Sequence, residues 1–416
     1  MDDVIIASAC RTPIGAFGGA LRDLPAYAIA AVAVREALRR AGVDPGEVDD
    51  VRLGCVFEPY MSKSVARTAA TEAGIPVTST AVSLDRVCVS GMEAVVSGMA
   101  MIQAGLANVI VAGGVEHMSG VPYAIPSARW GARVQSQSLD DECIEGLRCG
   151  SRYHPCPADG PHRDGPIIEL FKGQPYLMGH TAEFLAEMYG LSREGIDEVA
   201  LHSHRNVERA TLEGDFGEEI VAVQVPQKRG RPPILFSRDE HFRPGLTIDE
   251  LAALPPAFVP ENGKVTAGNS SGLNDGASAM VIMSAAKARA LGVAPLARIR
   301  AVGYGGCDPY LMGISPVPAV RDLERRSGLR LGDFELLEVH EAFSAQYLAC
   351  EEELDLDRAI TNVNGSGVGL GHPVGSSGCR IMVTLLHALR RRDKSLGLAT
   401  LCGGGGVSMA TALERV

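Results

Sequence analysis

Apolar and polar positions change period along the chain, and each change marks an element. Val4-Ile5-Ile6-Ala7 is a continuous apolar run closed by Arg11-Thr12-Pro13, which predicts a short buried strand. From about Ala26 to Gly42 the chain is rich in Ala, Leu and Val, with arginines at the end and a glycine stop. That pattern predicts a helix with a glycine C-cap. Val51-Arg52-Leu53-Gly54-Cys55-Val56 is the next apolar run. Ser90-Gly91-Met92 to Gly105 predicts a helix of small residues and methionines, and Val109-Ile110-Val111-Ala112 follows at once as a strand. Strands alternating with helices predict an α/β domain with a largely parallel sheet.

The last hundred residues repeat this grammar. Ser377-Gly378-Cys379 opens a helix running to about Arg392, and Gly397 to Leu401 follows as a strand. The Ser-Gly pair at Ser90 recurs at Ser377, and the Gly-Gly pair at Gly113 recurs at Gly403, at nearly the same offset. Leu336 to Val339 parallels Val51 to Val56 as an apolar run leading into a polar loop. The chain therefore reads as an internal duplication of two α/β halves. The stretch from about Ser119 to Pro260 differs. It has Ser, Pro, Gly and His clusters and an amphipathic helical region over Thr181 to Gly190 and Ser192 to Arg209. We read it as an excursion from the first half. The predicted division is a first half over 1–118, a covering loop domain over 119–250, a return segment over 251–280 and a second half over 281–416.

Composition narrows the function classes. The net charge of −11 argues against an electrostatic nucleic-acid binder, although a local basic patch for an anionic ligand stays open. The ten cysteines of this 416-residue chain read as reduced thiols. The first residues show no basic segment followed by an apolar one. No apolar stretch approaches the roughly 18 residues of a membrane span, so a cytoplasmic location is expected. Cys143, Cys149, His154, Cys156 and His162 cluster among Pro and Gly, but without paired Cys-x-x-Cys knuckles. An irregular loop covering a pocket is favoured there over a zinc site, and no metal is expected.

Four elements carry candidate chemistry. Cys88, in Arg86-Val87-Cys88-Val89-Ser90-Gly91, sits at a helix start, where the dipole favours a thiolate nucleophile. The alternative is a small buried core residue, and this motif alone does not separate the two. His372, in Gly371-His372-Pro373, lies ahead of the duplicated helix. It would meet Cys88 in one crevice and act as its base. Cys402 ends a strand that runs into Gly403 to Gly406, whose free N–H groups suit a substrate oxygen, and its thiol suits proton transfer. No Lys-Ser/Thr follows, so a phosphate-binding loop does not fit. His340-Glu341, at the end of an apolar strand, reads either as a local hydrogen-bonded pair or as a crevice-facing group.

These elements, in this order, resemble the thiolase family over essentially the whole chain. The same resemblance is carried by Ala112-Gly113-Gly114-Val115-Glu116-His117-Met118-Ser119 and by Met178-Gly179-His180-Thr181-Ala182-Glu183. Further matches are Thr266 to Ala277, Met312-Gly313-Ile314-Ser315-Pro316, His340-Glu341-Ala342-Phe343 and Asn362-Val363-Asn364-Gly365. The resemblance implies the thiolase fold: two duplicated mixed-sheet halves in five αβαβα layers, with a loop domain inserted in the first. It implies thioester-dependent Claisen cleavage or formation of a 3-oxoacyl-CoA. Cys88 would carry the acyl group, His372 would activate it, and Cys402 would exchange a proton with the substrate α-carbon or with the thiol of incoming CoA. His372, with His340 or a water that it positions, would hold the enolate, and the backbone N–H groups of Cys88 and Gly404 would hold the acyl-thioester oxyanion. Ser271 would lie along the CoA pantetheine, while Met178, Met312, Ala342 and Phe343 would line the acyl pocket or simply fill core. Coenzyme A is implied as a substrate, with no permanent cofactor. A homodimer or homotetramer is implied, with room for a partner subunit.

This chain departs from the family pattern in three places. His340 stands where many thiolases carry Asn, resembling the branch that acts on longer acyl chains in fatty-acid β-oxidation. Val89 follows the nucleophile where a smaller residue is common. The Cys- and Pro-rich stretch before Met178 is long. Together they lead us to expect a longer or non-standard acyl group. The rivals are another condensing enzyme of the same fold, of ketoacyl-synthase type, and a non-catalytic thiolase-like subunit. Cys402 argues against the first, and the filled reactive positions argue against the second.

Overall fold

A computed structural model describes residues 3–59, 62–134, 136–158, 165–227 and 230–416. The first half is built from β1 (Val4–Arg11), α1 (Ala26–Ala41), β2 (Asp50–Gly54), α2 (Val65–Glu72), β3 (Thr80–Leu84), α3 (Ser90–Gln103), β4 (Val109–His117) and β5 (Asn274–Ser284). Between β4 and β5 the excursion carries α4 (Met178–Met188) and α5 (Arg193–Leu212). The second half holds β6 (Ala297–Gly306), α6 (Pro316–Ser327), β7 (Leu336–Val339), α7 (Ser344–Leu354), α8 (Val374–Arg391), β8 (Leu396–Gly403) and β9 (Val407–Arg415).

The duplication is visible strand by strand. The strands run in the order β3-β2-β4-β5-β1 and then β6-β9-β8-β7. In each half two strands pair in parallel, β2 with β4 and β7 with β8, while the last strand, β5 or β9, runs antiparallel to both its neighbours. The counterpart of β3 has shrunk to one parallel bridge, Leu337 to Thr361. The halves meet where Ile5 and Ile6 pair with Arg298 and Ala297.

Three expectations are corrected. The sheet is mixed, as the family resemblance implies, and not largely parallel as the alternation of strands and helices alone predicts. Only Gly404–Gly406 separates β8 from β9, and so short a connection can only reverse the chain. The expected boundary at 280 falls inside β5, which stays in the first half's sheet to Ser284. The helix expected from Ser377 starts at Val374, where the N–H groups of Ser376 and Ser377 both reach the Pro373 carbonyl.

Packing explains the layers. Helix α1 turns Ile29, Ala33, Val34, Ala37 and Leu38 to the sheet at helical spacing, and Gly42 closes it in a left-handed conformation, φ 64°. One core lies between α1, α2 and the first sheet, and another between the second sheet, α6 and α7. The central core joins residues of both sheets around α3 and α8. Helix α8 is buried on every side from Val374 to Leu389, as a helix between two sheets must be. Close approach there requires Gly114, since a Cβ on it would lie 2.0 Å from the Gly375 carbonyl oxygen. The starts of α3 and α8 meet at Gly91, where a Cβ would lie 2.8 Å from the Cys379 nitrogen and 2.9 Å from the Gly375 carbonyl oxygen. Among the described residues no helix is long and apolar enough to cross a membrane.

Candidate active site

Cys88 sits in a tight elbow between β3 and α3. Val87 is held at φ 51°, a left-handed conformation costing about 1–3 kcal/mol for a β-branched residue. Three hydrogen bonds hold it there. Asp85 accepts the Val87 N–H at 2.8 Å, and Ser90 Oγ accepts the Arg86 N–H at 2.7 Å while donating to the Val87 carbonyl at 2.6 Å. Burial pushes the Cys88 thiol up to about 11, opposed by the N–H groups of Gly404 and of Cys88 itself, which point at the sulfur. The resting group is therefore a thiol that needs a base.

His372 faces the same space. Its N–H donates to Asn274 Oδ1 at 2.9 Å, and its Nδ1 lies 2.7 Å from Ser377 Oγ. The Ser377 hydroxyl sends its own proton to the Pro373 carbonyl at 3.0 Å, so it accepts from Nδ1–H. The lone pair of His372 is thereby left on Nε2. Burial, and then the charge of Arg380, push its pKa down to about 3, so the ring rests neutral.

Cys88, His372, Ser271, Met178, Met312, Ala342 and Phe343 line one apolar cavity of about 170 Å³. The return segment joins it through a Ser271 N–H bond to the Ala342 carbonyl, 3.0 Å, and a bridge between Ser270 and Phe343. Val56, Phe57, Val87, Gly146 and Cys149 also border a wider cavity of about 1160 Å³, which Gly404 lines. Gly404 has no room for a side chain, because a Cβ would lie 2.1 Å from Cys149 Sγ. A third cavity, about 500 Å³, adjoins at Ser270 and carries Arg243, His204 and His241.

His340 and Cys402 are not part of the apolar cavity's wall. His340, expected to face the crevice, is fully enclosed, with Gly367 packed against its edge. It reaches the site through His372, at 4.3 Å between ring centroids. Cys402 is fully buried, and burial with Cys88 nearby holds its thiol well above its ordinary range. The cysteine cluster separates: Cys143 packs with Met118 and Val374, Cys156 joins the core under α4, and Cys149 borders the cavity. His162 lies outside the described residues. Among the described residues no group of three or more His, Cys, Asp or Glu side chains is placed to hold a metal ion.

Sequence reasoning missed the residues that orient these groups. Glu116 accepts the N–H groups of Val56, Phe57 and Gly375 at 3.1, 3.1 and 2.8 Å, tying the loop after β2 to the start of α8. Glu341 takes Ser203 Oγ at 2.5 Å and Asn362 Nδ2 at 2.8 Å. Arg380 and Glu338 are buried beside His340. The available signal was a charge inside an apolar pattern, as with Arg380 on the all-buried face of α8.

Comparison with known proteins agrees with this fold. Residues 4–154 and 166–286 match the family model described as thiolase, N-terminal domain, and residues 293–415 match thiolase, C-terminal domain. The chain is 46% identical over 415 residues to an acetyl-CoA acetyltransferase of Pseudomonas aeruginosa and 44% identical to one of Cupriavidus necator, covering 100% of each chain. The crystal structure of the Bacillus anthracis acetyl-CoA acetyltransferase superposes with a TM-score of 0.92 at 45% identity, over 100% of this chain and 99% of that one. Human mitochondrial 3-ketoacyl-CoA thiolase in complex with CoA gives 0.90 at 37% identity, over 100% and 98%. The chain belongs to the thiolase family and is an acyltransferase.

Proposed function

We propose that this enzyme cleaves a 3-oxoacyl-CoA, or forms it in reverse, through an acyl thioester on Cys88. One observation carries the reading: a thiol and an imidazole lone pair share one apolar cavity, with two backbone N–H groups aimed at the sulfur. His372 Nε2 takes the Cys88 proton, and the sulfur attacks the 3-oxo carbon. The oxyanion is held by the N–H groups of Cys88 and Gly404, where a single donor contributes on the order of 3 kcal/mol. The bond between C2 and C3 then breaks. The acetyl-CoA enolate that leaves is held beside His372 and His340 and receives a proton from Cys402. Free CoA next loses its thiol proton to Cys402 and attacks the acyl-Cys88 carbonyl, releasing the shortened acyl-CoA and the Cys88 thiolate, which recovers its proton from His372.

The CoA complex of the human relative supports CoA as the second substrate. The cavity beside Ser270, with Arg243 on its wall, offers the anionic end of CoA a cation. The wide cavity beyond Cys149 supports a longer acyl group than acetoacetyl. Strand β3 ends the first half's sheet with its side chains partly exposed, and we assign it as the seam with a second copy. The test is thiolysis of acetoacetyl, medium-chain, branched and aromatic 3-oxoacyl-CoAs, with acid-quenched peptide mapping of the acyl group. The acyl mass is expected on the Cys88 peptide and absent from Cys88→Ala. An acyl group on another peptide would overturn the assignment, and turnover fastest on acetoacetyl-CoA would overturn the longer-chain reading.

A further inference from the structure

Arg380 is a charged side chain on the fully buried helix α8, 1% exposed. Its Nη2 lies 3.2 Å from His340 Nδ1. Among the described residues its Nε and Nη1 have no hydrogen-bond partner, and Glu338, the nearest carboxylate, stands 3.9 Å from Nη1. The directed hydrogen bond of this guanidinium is therefore spent on His340.

A guanidinium has donors and no acceptor. The atom it meets, His340 Nδ1, must be an acceptor, and the single proton of the neutral ring then sits on Nε2. That Nε2 is buried and has no partner among the described residues, and its ring packs against His372. A buried N–H left unbonded is costly, so it calls for a bound oxygen to complete it.

We propose that Arg380 is a positioning residue that locks His340 in the Nε2–H tautomer, making it a fixed hydrogen-bond donor to the substrate's enolate oxygen beside His372. The assignment rests on the Claisen reading above. It also accounts for the histidine at this position. An asparagine amide carries N–H groups in any state, whereas a histidine offers one only in the right tautomer, so this chain needs a residue that selects it. Burial keeps both imidazoles neutral, and Arg380 lies close enough to oppose their protonation as well.

The test is a double-mutant cycle in the full-length enzyme: wild type, Arg380→Met, His340→Asn and the double variant. Thiolysis kcat and KM are measured alongside melting temperature and the rate of Cys88 alkylation. With His340 present, Arg380→Met is expected to lower kcat roughly 30- to 100-fold with KM changed less than about threefold. In the His340→Asn background the same change is expected to lower kcat less than about threefold, because an amide needs no tautomer selection. Equal losses in both backgrounds, or no loss in either, would overturn the proposal. Should Arg380→Met fail to fold, histidine-selective ¹⁵N NMR of the wild type reads the tautomer directly, with the His340 signals assigned by their loss in His340→Asn. A protonated Nε2 and bare Nδ1 support the assignment, and the reverse overturns it. Acyl mapping separates the two levels: acylation away from Cys88 defeats the Claisen reading, whereas an additive cycle with Cys88 acylated defeats only the role of Arg380.

Discussion

Ser377 Oγ accepts from His372 Nδ1 at 2.7 Å while giving its own proton to the Pro373 carbonyl one helical turn back. This chain of two bonds turns the imidazole's lone pair toward the cavity that holds Cys88. Ser377→Ala leaves Nδ1–H buried without a partner and frees the ring to rotate or change tautomer. The expected result is a fall in kcat of roughly 10- to 100-fold with the melting temperature only slightly lowered. Ser377→Thr, which restores the hydroxyl, recovers part of that loss. A thiolysis assay on both variants with circular dichroism melts checks it, and a Ser377→Ala enzyme of wild-type kcat would contradict it.

Glu116 performs the matching task for the scaffold. Its two oxygens take three backbone N–H groups from opposite halves of the molecule. Glu116→Gln turns an amide NH₂ toward at least one of these donors. We expect a loss of about 2–3 kcal/mol in urea unfolding and a lowered rate of Cys88 alkylation, since the loop of Val56 and Phe57, which lines the Cys88 cavity, is no longer tied to the start of α8. An unchanged urea midpoint would show that the carboxylate is dispensable.

Buried histidines set an acid limit on stability. His204 is pushed down to about 3 and His241 to about 4, in both cases chiefly by burial, and their rings stack at 6.3 Å. The unfolded chain binds a proton at each of them near pH 6.5, while the folded chain refuses it. Stability from these groups is therefore present above pH 6.5 and lost as pH falls toward the folded values. The slope is about 1.4 kcal/mol per pH unit for each group. Urea midpoints at pH 7.5 and pH 5.0 measure the loss. The double variant His204→Gln/His241→Gln is expected to shrink the difference, leaving the share of the buried His340 and His372, and one as steep as wild type would place the acid sensitivity elsewhere.

Sequence legibility follows the range of the interactions. Helix α1 was readable because its apolar spacing and its Gly42 stop are local. The pairing of Cys88 with His372 was readable because the duplication places two equivalent helix starts at one crevice. The antiparallel course of β5 and β9 was not, because short apolar runs carry no sign of strand direction. The enclosure of His340 was hidden for a similar reason. It depends on Gly367 and Arg380, 27 and 40 residues further on, whose approach only the folded sheet determines.

Gly404 couples the covering loop to the nucleophile. Its N–H points at Cys88 Sγ, and its Cα lies under Cys149 so closely that a Cβ would stand 2.1 Å from that sulfur and 3.2 Å from Met178 Sδ. The backbone at Gly404 itself is not left-handed, so alanine is excluded by contact and not by conformation. Gly404→Ala must therefore push Cys149 aside or swing the N–H away from the sulfur. Because the donor serves a developing oxyanion, we expect kcat to fall roughly 100-fold while the melting temperature changes little. Cys149→Ala removes the obstructing sulfur, so the double variant Gly404→Ala/Cys149→Ala is expected to regain at least about tenfold of that loss, as coupled neighbours do. Strictly additive effects in steady-state thiolysis would show that Cys149 does not press on Gly404, and that the loop before Met178 covers the site without controlling it.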